Sequence, residues 1–242
     1  QTAYIFADYA EFICEHFSDR VVNIATINEP QIISGLGYMN GLHAPGKKLD
    51  CISVLSVIHH LALAHGLAVT RMRAVAKQPI KTGFSSTGDL CFPASECDED
   101  IDAARAESFK IVTGNMTFNH TIFCDMTCLG RYPDIAGTGL HLEKGLEKIG
   151  HYKELPFVKD GDSELMPQPI DFLGINVYNG HEVSVTGHIK KKPGSPRTAL
   201  GWPVTPGVMN YGIRYMYERY NLPIYIFEDG LACNDIISLD GK

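Results

Sequence analysis

The chain has 242 residues, a formal charge of −7, and 45% hydrophobic against 20% charged residues. This is the composition of a folded domain, with length enough for one large domain or two small ones. The acidic balance, with Lys190-Lys191-Lys192 as the densest basic cluster, argues against the basic stripe of a nucleic-acid surface.

In chain order, residues 3–17 have helical spacing, with Ile5, Phe6, Tyr9, Phe12, Ile13 and Phe17 as the expected apolar face. Val21-Val22-Asn23-Ile24-Ala25 then reads as a buried strand that Pro30 ends near Glu29, because proline cannot donate to a sheet ladder. Gly35, Gly37 and Gly41 follow, without the rest of a dinucleotide fingerprint. Residues 50–76 read as a long helix, and residues 79–84 as a strand. Its His59, His60 and His65 lack the i,i+4 pairing and nearby acid of a helical zinc site, so they read as packed or solvent-facing.

Residues 96–112 read as a helix with Asp98-Glu99-Asp100 at its start, where the helix dipole favours acids. Residues 130–169 are punctuated by Gly and Pro, with a short helical candidate at 142–149. A strand over 169–178 ends in Asn176 and Tyr178, a short insertion strand is expected at 183–189, and a helix spans 206–220. The last strand, Ile224-Tyr225-Ile226-Phe227-Glu228, opens into Asp229-Gly230. This alternation implies a parallel sheet with crossover helices, in one domain over 1–242.

No run of apolar residues stands out as a bilayer span, and residues 1–9 lack the basic start of a signal peptide. Seven scattered cysteines without a CxxC pair favour free thiols over a disulfide framework, and with them a cytoplasmic location. Asn115-Met116-Thr117 and Asn119-His120-Thr121 match the short glycosylation pattern, which arises often by chance.

The informative feature is the set of strand ends: Asn28-Glu29, Asn176 with Tyr178, and Glu228. Parallel α/β barrels collect their chemistry at the carboxyl ends of their strands. Cleaving a glycosidic bond needs one carboxyl group to protonate the departing oxygen and a second to meet the anomeric carbon, and two glutamates so placed fit that division. An amide such as Asn28 can bond a sugar hydroxyl, and a phenol such as Tyr178 can hold the nucleophile.

Thr26-Ile27-Asn28-Glu29-Pro30 resembles the T-x-N-E-P motif of family 1 glycoside hydrolases, the β-glucosidase family. Gly35-Leu36-Gly37-Tyr38, His43-Ala44-Pro45-Gly46, Gly130-Arg131-Tyr132-Pro133, Asp171-Phe172-Leu173-Gly174-Ile175-Asn176 and Gly201-Trp202 follow the family's order. Ile224-Tyr225-Ile226-Phe227-Glu228-Asp229-Gly230 is similar to its I-T-E-N-G segment. The resemblance implies an α/β fold of (β/α)8 TIM-barrel type and retaining hydrolysis of β-glucosides or related β-glycosides. By motif position it makes Glu29 the acid/base and Glu228 the nucleophile, with Asn28 on the sugar 2-hydroxyl, Asn176 framing the acid/base and Tyr178 orienting Glu228. No metal or organic cofactor is implied; the partner is a β-linked glucoside or oligosaccharide, with no nucleic acid and no membrane.

The chain departs from the pattern at three places. Phe227 stands for the usual Thr and is expected to point away from the active face, because alternate strand residues face opposite ways. Asp229 adds a negative charge beside Glu228, which works against a nucleophilic carboxylate. Val177 stands where a second Tyr is common. The resemblance also begins after the family's third strand and ends soon after Glu228, so an incomplete barrel of four strands is expected. Two other readings follow: a remnant that binds carbohydrate or is inactive, and self-association that completes the barrel with a separate chain.

Overall fold

The computed structural model describes residues 1–111, 116–133, 155–233 and 239; the helical candidate at 142–149 lies outside them. In chain order the elements are α1 (Thr2–Phe17), β1 (Asn23–Asn28), a single turn α2 (Pro30–Ile32) continuing as a π-helical segment (Ile33–Met39), and α3 (Cys51–Val75). There follow β2 (Lys81–Thr87), β3 (Cys91–Pro93), α4 (Asp98–Ser108), α5 (Thr121–Cys128) and α6 (Asp162–Leu165). β4 (Phe172–Asn176), β5 (His181–Ser184), β6 (Gly187–His188), α7 (Gly207–Tyr220) and β7 (Ile224–Glu228) complete the described chain.

Four parallel strands pair in the order β1-β2-β4-β7, the alternation expected of part of an α/β barrel. Each crossover carries a helix, as parallel strands require. On the outer face of β4, Leu173 and Ile175 are fully buried in a core with Leu55 and Ile58 of α3, Phe123 of α5 and Met216 of α7. A smaller sheet of β3, β5 and β6 lies beside it. It packs on α4 and α7 through Cys91, Val183, Ala104 and Tyr215. Most predicted elements stand within a few residues of their expected positions, and β3, α5 and α6 are additions.

Three expectations are corrected. The large apolar residues of α1 do not form its buried face: Ile5, Tyr9, Phe12 and Phe17 are exposed, while Ala3, Ala7, Ala10 and Cys14 are buried. Small side chains let α1 lie close along α3, where Ala10 and Cys14 meet Ala68 and Met72, and the Cys14 thiol donates to the Met72 carbonyl at 3.2 Å. β1 is likewise not a buried strand. It has a neighbour on one side only among the described residues, and Ile27 is its one buried side chain. Third, α3 is long and apolar enough to cross a bilayer by length and composition, but over half of that stretch is buried within the fold.

The long helix is fixed at both flanks. Asp50 caps its start by accepting from the Ser53 amide at 2.8 Å. Buried His59 reaches Asp162 at 2.9 Å, tying α3 to the start of α6. His65, fully buried, lies 2.7 Å from the Thr26 hydroxyl, which in turn donates to the Gly83 carbonyl at 3.2 Å. A neutral ring with its proton on Nδ1 satisfies this chain, and burial pushes the His65 pKa down to about 3. The edge strand β1 is thereby pinned to both α3 and β2. Asn119, of the second glycosylation-type match, is buried and donates to the Lys110 carbonyl at 2.8 Å, so it is not open to modification in this fold; Asn115 lies outside the described residues.

Candidate active site

The five residues singled out at strand ends converge on one point. Asn176, the last residue of β4 and 1% exposed, is the hub. Its Nδ2 amide donates to Glu29 Oε1 at 2.8 Å and to Glu228 Oε1 at 2.8 Å, with Asn28 Oδ1 at 3.2 Å. The Tyr178 hydroxyl donates to the other oxygen of Glu228. One nitrogen touching both carboxylates means their facing oxygens are separated by at most about twice that contact distance. The two carboxylates therefore face one another across a single amide nitrogen.

The two glutamates reach this point by local irregularity in the strands that carry them. Pairing of β1 with β2 shifts between Ala25 and Asn28, and pairing of β4 with β7 shifts between Ile175 and Asn176. Such bulges re-aim side chains where regular alternation would send them elsewhere. Glu29 itself has left-handed backbone angles, φ 49° and ψ 62°, a costly conformation for a residue with a Cβ. It is held by its amide bond to the Ser85 carbonyl at 2.9 Å and by Pro30, which starts the next helical turn.

The second shift overturns the expectation for Phe227. Its ring lies against Phe172 and over Gly174, on the same sheet face as Asn176, rather than away from the active face. Because β7 steps one residue at the bulge, Phe227 and Glu228 both address that face. Gly174 makes the fit: a Cβ there would come within 3.0 Å of the Phe227 ring and 2.8 Å of the Phe84 carbonyl oxygen. Phe172, Tyr225 and Phe227 form an aromatic floor beneath the carboxylates.

Sequence reasoning missed the residues that hold the hub. Ser85 donates to Asn176 Oδ1 at 2.6 Å and so fixes which end of the amide faces the glutamates. Gln31, fully buried just after Pro30, donates to Ser86 at 2.8 Å and accepts from the Thr87 amide at 3.3 Å, anchoring the segment after Glu29 to β2. The available signal was the polar run Ser85-Ser86-Thr87 directly after Gly83-Phe84. Gly35 and Gly37 serve close packing, since a Cβ would lie 2.5 Å from the Thr117 hydroxyl and 2.7 Å from the Ala44 carbonyl respectively.

The electrostatics favour a neutral Tyr178. Burial, and then the adjoining Glu228 carboxylate, raise the phenol's pKa well above the ordinary value. It therefore stays a hydrogen-bond donor to Glu228. Beyond Glu29 and Tyr178 a cavity of about 1030 Å³ opens toward Trp202.

Comparison with known proteins gives a consistent result. The family model of glycosyl hydrolase family 1 matches residues 1–241. The chain is 33% identical to a 1,4-beta-D-glucan glucohydrolase of Thermotoga neapolitana over 98% of its own length and 52% of that protein. It is 34% identical to beta-glucosidase A of Acetivibrio thermocellus, over 98% of its length and 51% of that relative. Among solved structures, a family 1 β-glucosidase from Thermotoga maritima superposes with a TM-score of 0.73 at 31% identity, covering all of this chain and 51% of that one. The chain spans about half the length of the relatives it matches.

Proposed function

Because the chain belongs to glycosyl hydrolase family 1, we propose that it carries the two-glutamate machinery for hydrolysing β-glucosides or related β-glycosides with retention at the anomeric carbon. Glu228 attacks that carbon as the bond to the leaving oxygen breaks, and Glu29 gives its proton to that oxygen. In the second half, water loses a proton to Glu29 and attacks the same carbon, releasing Glu228. Asn28, exposed beside Glu29, bonds the sugar 2-hydroxyl; Tyr178 and Asn176 hold the nucleophile and the acid at fixed separation. The observation that carries this reading is the single Asn176 amide bridging both carboxylates.

The test is nitrophenol release from p-nitrophenyl β-D-glucoside by the chain and by Glu228→Gln. Turnover that falls on the order of 10⁴-fold or more in the variant supports the assignment. A folded wild-type chain without turnover would remove it. A second reading, sugar binding without hydrolysis, draws support from the exposure of Asn28 and Glu228 on strands that have one neighbour each among the described residues. Saturable glucoside binding with no nitrophenol release would select it.

A further inference from the structure

Glu29 holds a left-handed backbone that a residue with a Cβ adopts only where its surroundings impose it. Different contacts fix its two angles. The Glu29 amide donates to the Ser85 carbonyl at 2.9 Å, which ties the approach from β1 to β2. The Glu29 carbonyl accepts from the Ile32 and Ile33 amides at 2.9 and 3.1 Å, so its direction follows the turn of α2. The second angle is therefore only as firm as the attachment of that turn to the sheet.

Gln31 supplies the attachment. Its side chain is 1% exposed and spans two successive residues of β2. The Thr87 amide can only donate, so it selects the Oε1 end of the carboxamide at 3.3 Å and leaves Nε2 to donate to the Ser86 hydroxyl at 2.8 Å. Ser86 is fully buried and is held in turn by His120 at the start of α5, whose Nδ1 lies 2.8 Å away. Ser85, the residue before it, holds both the Glu29 amide and Asn176 Oδ1. The contacts close into a ring. It runs from Asn176 to the Glu29 carboxylate, through the turn to Gln31, across to Ser86 and Thr87, and by Ser85 back to Asn176. Among the described residues, Gln31 completes this ring without a hydrogen bond to either glutamate.

We propose that Gln31 is a positioning residue for Glu29: by clamping the turn after Pro30 to β2, it enforces the strained backbone that aims the acid/base carboxyl at the departing oxygen. The proposal rests on the assignment of Glu29 as the acid/base. A well-aimed acid matters most when the leaving group is a strong base, and least when it departs readily as an anion. A loosened turn therefore slows glucosides according to the basicity of their leaving groups. A general loss of folded protein slows them all alike.

Two measurements on the full chain test this. The first compares kcat/KM for phenyl and dinitrophenyl β-D-glucoside in wild type and Gln31→Met, since this constant covers the step in which Glu29 gives its proton. The ratio of phenyl to dinitrophenyl should fall about fivefold or more in the variant. The second is a double-mutant cycle by urea unfolding between Gln31→Met and Glu29→Gly. Glycine relieves strain at position 29 only while the clamp imposes it. Glu29→Gly should therefore favour folding about fivefold more in the wild-type background than beside Gln31→Met. Should Gln31→Met not fold, Gln31→Asn, one methylene too short to span Ser86 and Thr87, takes its place in both. Additive stabilities, or equal losses on the two glucosides, overturn the proposal. A wild type without turnover of either glucoside would remove the two-glutamate reading; coupling between positions 29 and 31 would then still uphold the clamp, and additivity would overturn it.

Discussion

Two neighbouring strands, β4 and β7, differ more than any other adjacent pair in the sheet. Every residue of β4 is buried, and it is paired on both sides; among the described residues β7 is paired on one side and exposes four of its five residues. Yet β7 carries Glu228, and the equally open β1 leads into Glu29. The two carboxylates proposed to react thus stand on or beside the outer strands of the described sheet, while Asn176, which bonds both, ends a strand enclosed on both sides. A rigid interior can set the geometry of groups that must remain open to a substrate.

The comparison can be broken at its hub. Asn176→Ala removes the donor to both glutamates and strands the Ser85 hydroxyl. We expect turnover to fall on the order of 10²-fold and stability by about 2 kcal/mol, measured by glucoside kinetics and urea unfolding. Loss of stability with kinetics unchanged would deny Asn176 its positioning role.

The tie between margin and centre can be titrated through His65. Its folded pKa, about 3, lies below the ordinary 6.5, so below about pH 6.5 the unfolded chain binds a proton that the folded chain refuses. Stability from this group is complete above pH 6.5 and declines as pH falls toward 3, by a few kcal/mol. The urea midpoint of wild type should therefore drop more steeply across that window than that of His65→Phe, and parallel slopes would contradict the assignment.

The last two tests contrast the strands themselves. Gly174→Ala in β4 drives a methyl into the Phe84 carbonyl and the Phe227 ring, which should cost about 1–3 kcal/mol by urea unfolding. Ile226→Lys in β7, at a residue 40% exposed, should shift stability by no more than about 0.5 kcal/mol. A much larger loss at Ile226 would reveal that the open side of β7 is covered in solution by another surface.

Much of this arrangement was legible in the sequence. Apolar runs halted by Asn28-Glu29-Pro30 and by Glu228-Asp229-Gly230 placed the carboxylates at strand ends, and the run before Asn176 placed the amide. What the sequence concealed depended on contacts between distant segments. The buried side of α1 follows alanines rather than phenylalanines because α3 lies too close for large side chains. The placement of Phe227 hinged on a one-residue bulge that strict alternation does not anticipate. The side sheet was half legible: one strand was expected at 183–189, where the structure has the pair β5 and β6, while β3, three residues long, was too short for a periodic signal. Ser85 and Gln31 looked like ordinary polar residues until the fold brought them to the hub.

Glu29 also has a meaning for how this chain can vary. A residue at φ 49° and ψ 62° is one that glycine or asparagine would occupy with less strain, and neither can deliver a proton as a carboxylic acid does. On the proposed assignment of Glu29 as the acid/base, substitutions that ease the backbone here would make a sturdier molecule and silence it. Stability and chemistry select opposite residues at position 29, so screens for a more robust variant of this chain would be drawn toward inactive ones.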